Sequence, residues 1–134
     1  MSYSMQIENV LELIKSGQLV SSFNELNDWD AILDERDKNP DFESAWRKCF
    51  DEIERAWEKA AVSSDVSSMI ETIRREVFLD VSRATNQHEI ASYVSDDFDI
   101  ITRSSMLKWN DSFIEHLWNT YQSGEIPTSP RSSV

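Results

Sequence analysis

A chain of 134 residues with 40 % apolar side chains, five Trp, six Phe and three Tyr has room for one hydrophobic core and the material to fill it, which sets aside intrinsic disorder and a second full domain. Twenty-five Asp and Glu against thirteen Lys and Arg leave a net charge of −12. Direct binding to nucleic acid or to an anionic membrane surface is therefore disfavoured, and a charge-driven partner should be basic.

Two glycines and three prolines are very little breaker content, and the apolar residues recur at three and four rather than in alternation, so the fold class is all-α. Ile7, Val10, Leu11 and Ile14 make a short first stripe, with Ser4 as its N-cap and Gly17 placed to end it in the left-handed conformation. Ser22-Phe23-Asn24-Glu25 matches a capping box for a helix that runs or restarts through Trp29, Ile32 and Leu33. Asn39-Pro40 then caps and begins the clearest element, at roughly 40–61, whose stripe is Phe42, Ala45, Trp46, Cys49, Phe50, Ile53, Ala56 and Trp57. A linker at Val62-Ser63-Ser64-Asp65 leads to a second long helix at about 65–84 on Met69, Ile70, Ile73, Val77 and Val81, antiparallel to the first where the connection is tight. Asn86-Gln87-His88-Glu89 reads as another capping box opening a short segment through Tyr93, and Ser95 as the cap of a turn holding Asp96, Asp97 and Asp99. Asn110 caps a last helix with Phe113, Ile114, Leu117, Trp118 and Tyr121, which Gly124 ends. The expected architecture is a single-domain helical bundle of about five to seven helices with two long central helices, covering 1–123, and a mobile C-terminal tail at 124–134.

Catalytic and metal-binding patterns fail at the positions that matter. His88-Glu89-Ile90-Ala91-Ser92 begins like HExxH but puts Ser92 where the second histidine belongs. Thr85 and Phe113 stand three residues before His88 and His116, where a di-metal bundle needs glutamates. Asp28-Trp29-Asp30 and Asp97-Phe98-Asp99 lack the third ligand and the glycine of a calcium loop, and two glycines cannot build a phosphate cradle. Asn110-Asp111-Ser112 is formally a glycosylation sequon but reads better as a helix cap. Cys49 is the only cysteine and lies on a core stripe, where a thiol is inert packing. The expectation is no enzyme, no metal and no cofactor. Neither a leader with basic and apolar regions at the N-terminus nor a run of 18 apolar residues is seen, so the expected location is cytoplasmic.

The charge is not spread evenly. Glu25 to Glu58 carries twelve carboxylates against five bases. After Asp41 many of these acids pair at i,i+4 with a base, as a solvated helix surface does. Asp28, Asp30, Asp34, Glu35 and Asp37 face Arg36 alone within their stretch, and their repulsion would be relieved by a cationic partner. Trp29 sits among them as an apolar anchor candidate; Trp109 has similar polar flanks, whereas Trp46, Trp57 and Trp118 share core stripes. Asp96, Asp97 and Asp99 form a secondary acidic candidate.

In its size, acidity and helicity, and in Ser95-Asp96-Asp97-Phe98-Asp99 followed by Trp118-Asn119-Thr120-Tyr121 and Gly124-Glu125-Ile126-Pro127, the chain resembles small acidic immunity proteins of bacterial polymorphic-toxin and contact-dependent growth inhibition systems. The resemblance implies a cytoplasmic toxin inhibitor that binds one cognate toxin domain, often a nuclease, and blocks its active site or substrate groove. A basic nuclease groove and an acidic surface are complementary, and such pairs associate fast by electrostatic steering. The alternative from another class is a helical adaptor or regulatory subunit that holds its partner in an apolar groove, with binding indifferent to salt.

Overall fold

The computed structural model describes residues 7–23, 28–109 and 111–130. Seven helices lie among them: α1 (Ile7–Lys15), α2 (Gln18–Phe23), α3 (Trp29–Asp37), α4 (Pro40–Ala60), α5 (Ser64–Thr85), α6 (His88–Leu107) and α7 (Ser112–Gln122). The all-α expectation holds, with three long helices instead of two.

Local chemistry accounts for most boundaries. Gly17, at φ +77°, turns the chain from α1 into α2, a conformation a Cβ would strain. The Asn39 side chain accepts from Phe42 N–H at 3.0 Å and Pro40 opens α4; Ser63 accepts from Val66 N–H at 3.3 Å to start α5. Other expected caps move. Ser22 lies inside α2, while Glu25 and Ser4 fall outside the described residues. The cap of α3 is Asp28, whose carboxylate accepts from Ala31 N–H at 3.0 Å. Asn86 is the left-handed terminator of α5, at φ 57°, and not the first residue of a capping box. Asn110 is outside the described residues, and Asp111 caps α7 by accepting from Phe113 and Ile114 N–H.

The largest departure is α6. Instead of a short segment and a capped turn, 20 residues run as one helix through Ser95, whose hydroxyl donates to the Arg74 carbonyl at 3.0 Å and ties α6 to α5. This helix is buried nearly all round from Val94 to Ser104, with Asp96 the one half-exposed residue in that span. It packs most extensively on α5, then on α4, and also touches α7 and α1. The two helices expected to form the central hairpin, α4 and α5, hardly meet; both lie on α6. Phe98, Ile100 and Ile101 of α6 are fully buried with Val77, Val81, Ile53, Leu117 and Tyr121, and each such side chain contributes about 1.5–3 kcal/mol by leaving water. Cys49 is buried as expected, and burial first, then Asp111 and Glu52, pushes its thiol up to about 12. Phe50, Trp46 and Trp57 are only half-buried, so the inner stripe of α4 is Phe42, Cys49 and Ile53.

The segment after α7, expected as a mobile tail, turns back onto the helices over its described residues. Gly124, at φ +86°, reverses the chain, and Ile126 and Pro127 are buried. The carbonyls of Pro127, Thr128 and Ser129 meet Arg36 (3.4 Å), Asn39 (3.1 Å) and His116 (2.8 Å) respectively. A buried isoleucine and three backbone acceptors fix residues up to Pro130 against α3, α4 and α7; residues 131–134 lie outside the described part.

Candidate protein-binding site

α3 sits at the surface, and one buried ion pair anchors it. Trp29, Ile32, Leu33 and Arg36 occupy its inner face at i, i+3, i+4 and i+7, the geometry of an amphipathic stripe. Arg36, 8 % exposed, reaches Asp97 of α6, 0 % exposed, through two hydrogen bonds of 2.8 and 2.6 Å. Asp97 also accepts from the Trp46 indole N–H at 2.9 Å and the Tyr121 hydroxyl at 2.5 Å. The guanidinium lies between the rings of Phe42 (4.5 Å) and Tyr93 (4.8 Å). Burial works against the charge on Arg36, but Asp97 outweighs it, so its pKa is raised. Burial and then Asp97 hold the Tyr121 phenol well above its ordinary value. A buried pair is tolerable where geometry is bidentate and the remaining lone pairs are satisfied, and here four donors supply that.

This pairing leaves the acids of α3 uncompensated. Asp28, Asp30, Asp34, Glu35 and Asp37 are all exposed, while the arginine among them points inward. Lys38 is the exposed base beside them, its Nζ 3.9 Å from Asp34, with the two side chains 79 % and 69 % exposed, so it screens little. Asp37 accepts from the Tyr93 hydroxyl; that bond, then burial, raises the tyrosine to about 12. Asp41 and Glu43, exposed in the first turn of α4, extend the acidic run. Trp29 is half-buried, its ring edge-on to Phe23 at 6.5 Å, and so is fixed in place with part of its surface open. Trp109 is half-buried against the core and Trp118 is inside it.

The secondary acidic candidate does not stand as a surface. Asp97 is the buried acceptor just described, and Asp99, 9 % exposed, pairs with Arg103 at 2.8 Å. Both face inward because the turn expected around them is a continuous helix, and Asp97 falls on the stripe of Ile90, Val94, Phe98 and Ile101. Asp96 alone reaches solvent, 46 % exposed and 3.0 Å from Arg74. Burial raises the pKa of Asp96 and Asp99, against the opposing pull of Arg74 and Arg103.

A cleft of about 250 Å³ runs from α3 toward α6, lined by Asp37, Phe42, Glu43, Trp46 and Tyr93 among others. No group of three His, Cys, Asp or Glu able to hold a metal gathers among the described residues. His88 meets the Ser82 hydroxyl through Nδ1, and His116 the tail through Nε2, so both histidines serve structure. No helix among the described residues is long and apolar enough to cross a membrane.

The described residues thus form an all-helical domain whose acidic helix is anchored by a buried ion pair and whose two histidines are hydrogen-bonded within the fold. The family model for Immunity protein PIM1 matches residues 9–128, and the chain belongs to that family. No curated protein matches the sequence. The match includes α3, the buried pair and the tail up to Thr128, so the site described above lies within the family domain.

Proposed function

We propose that this protein neutralises a basic toxin domain, a nuclease, by laying the solvent face of α3 over its active site or substrate groove. The observation that carries this reading is the exposed row of Asp28, Asp30, Asp34, Glu35 and Asp37, left uncompensated because Arg36 is spent on Asp97 inside the protein. Membership of an immunity family supports a toxin as the partner, and the charge supports a basic one, since a phosphate-binding groove offers a complementary field. The protein acts in the cytoplasm as a stoichiometric inhibitor without catalysis or cofactor, and Trp29 adds apolar contact at the edge of the charged row. Asp96 borders the same surface through the cleft beside Asp37. A helical adaptor with an apolar groove finds less support: Leu79, 38 % exposed, is the exposed large hydrophobic among the described residues, and the half-buried Trp46, Phe50 and Trp57 line a groove they share with Glu54, Glu71, Arg74 and Asp96, so it is not apolar.

The test is to co-express the chain with its cognate toxin domain, sought first in the product of the adjacent gene, then measure affinity and association rate in low and high salt. Tight binding that slows steeply with salt supports the proposal; an acidic partner, or salt-indifferent binding, overturns it.

A further inference from the structure

We infer that the trough between α4 and α5, floored by α6, receives an arginine side chain carried on a segment of the toxin. This inference rests on the proposed function and deepens it by assigning a second, chemically distinct element of the binding surface. Because α4 and α5 both pack on α6 and hardly on each other, a groove of about 590 Å³ opens between them.

Its α4 wall is aromatic. Trp46 and Phe50 stack at 5.3 Å with 11° between their planes, and Trp57 follows two turns further along the same face. All three are half-buried. The rest of the trough is charged, and the two signs are not equally accessible. Arg103, 6 % exposed, is held by Asp99 and Glu54; Arg74, 36 % exposed, is held by Asp96 and Glu71. Glu54, Asp96 and Glu71 are 43 %, 46 % and 70 % exposed, so these carboxylates face the opening while Arg103 is turned inward and Arg74 is partly exposed between them. Arg47, exposed at the rim, is the further base.

A guanidinium meets both demands of this surface, because its plane stacks on an aromatic face while its edge donates to carboxylates. An acidic segment would add like charge beside Glu54, Glu71 and Asp96, and an apolar one would desolvate their ion pairs without adding a donor. The protein already holds two arginines this way: Arg36 lies on Phe42, Tyr93 and Asp97, and on the floor of the trough Arg103 lies 5.4 Å from the Phe50 ring and 5.9 Å from the Trp57 ring while pairing with Asp99 and Glu54, so an incoming guanidinium would stack on the outer side of the same wall. The trough also shares Trp46, Arg47 and Asp96 with the cleft beside Asp37. A toxin segment lying on α3 therefore passes into it along continuous surface.

The test has two arms. In the first, N-acetyl-arginine amide and its neutral isostere N-acetyl-citrulline amide are titrated into the full chain and followed by amide and indole NMR signals. Saturable shifts of the Trp46 and Trp57 indoles with the arginine probe alone are expected, and Trp57→Ala or Glu71→Gln should weaken that binding by about tenfold or more. Equal shifts with the citrulline probe, or arginine shifts confined to α3, would overturn the inference. Glu71→Gln keeps the side chain's shape at an exposed position, so the result does not depend on Trp57→Ala folding well. In the second arm the same variants are measured against the cognate toxin domain. A loss of about tenfold supports the inference; undiminished binding refutes the trough and leaves the proposed function standing. If the wild type does not bind that toxin, the proposed function fails, and the arginine titration decides the trough by itself.

Discussion

Replacing Asp97 with Asn tests the anchor that presents α3. The substitution keeps the shape of the side chain but removes the charge facing Arg36, and it gives an amide N–H₂ to a place where the Arg36, Trp46 and Tyr121 donors already converge. Breaking one side of a buried ion pair typically costs about 3–5 kcal/mol, because the remaining charge is desolvated without compensation. Domains of this size are stable by about 5–15 kcal/mol, so the variant should keep its fold with much of its margin gone. At roughly 2.1 cal/mol/K per residue the unfolding entropy is about 0.28 kcal/mol/K, and the midpoint should fall by about 11–18 °C. Thermal and urea denaturation followed by circular dichroism read both quantities. In an Arg36→Met background the same Asp97→Asn change should cost at least about 1 kcal/mol less, since the stranded cation is gone. A loss below about 1 kcal/mol in the single variant would mean that Asp97 is an ordinary surface carboxylate and the anchor is misread.

Ile126→Ala should destabilise by about 2–5 kcal/mol, as expected of a buried isoleucine; a urea midpoint within error of wild type would make the segment after Gly124 a loose tail after all. The raised carboxyls of Asp96 and Asp99 predict a pH dependence of definite sign. A folded pKa above the unfolded one contributes stability below the unfolded pKa, and that stability is lost as pH rises through the folded value. Both acids therefore oppose folding at neutrality. Urea midpoints should rise as pH falls from neutrality into the upper carboxylate range, and Asp99→Asn should flatten that rise; a wild-type midpoint that falls over the same interval contradicts the assignment.

How far the sequence could be read depended on whether an interaction was local. Asn39-Pro40, Gly17, Gly124 and the stripes of α5 and α7 act within a few residues, and the helices they predict are there. The continuity of α6 was missed because Ser95, Asp96, Asp97 and Asp99 look like cap and turn chemistry, whereas inside the helix Arg74 and Arg36, far away in the chain, satisfy the first three and Arg103, one turn on, satisfies Asp99. The signal was present in both partners. Arg36 continues the stripe of Trp29, Ile32 and Leu33, and Asp97 continues that of Ile90 and Val94; an acid and a base each falling on an apolar stripe point to a buried pair. The trough was illegible for another reason: it exists because α4 and α5 splay on α6, and helical spacing alone gave Trp46, Phe50 and Trp57 to the core. The acidic row of α3 needed no tertiary information, although its exposure without Arg36 did.

The most direct measurement is the affinity of the triple charge reversal Asp30→Lys, Asp34→Lys and Glu35→Lys for the cognate toxin domain, taken across a salt series beside the wild type. These three side chains are exposed, and Asp34 gives up only a surface pair with Lys38, so the thermal midpoint should stay close to wild type. Charge pairs at a desolvated interface couple by about 1.5 kcal/mol or more each, and the variant should bind at least about a hundredfold more weakly, with a shallower salt dependence and slower association. A folded triple variant that binds and inhibits the toxin as well as wild type, with the same salt slope, would contradict the claim that α3 is the neutralising surface.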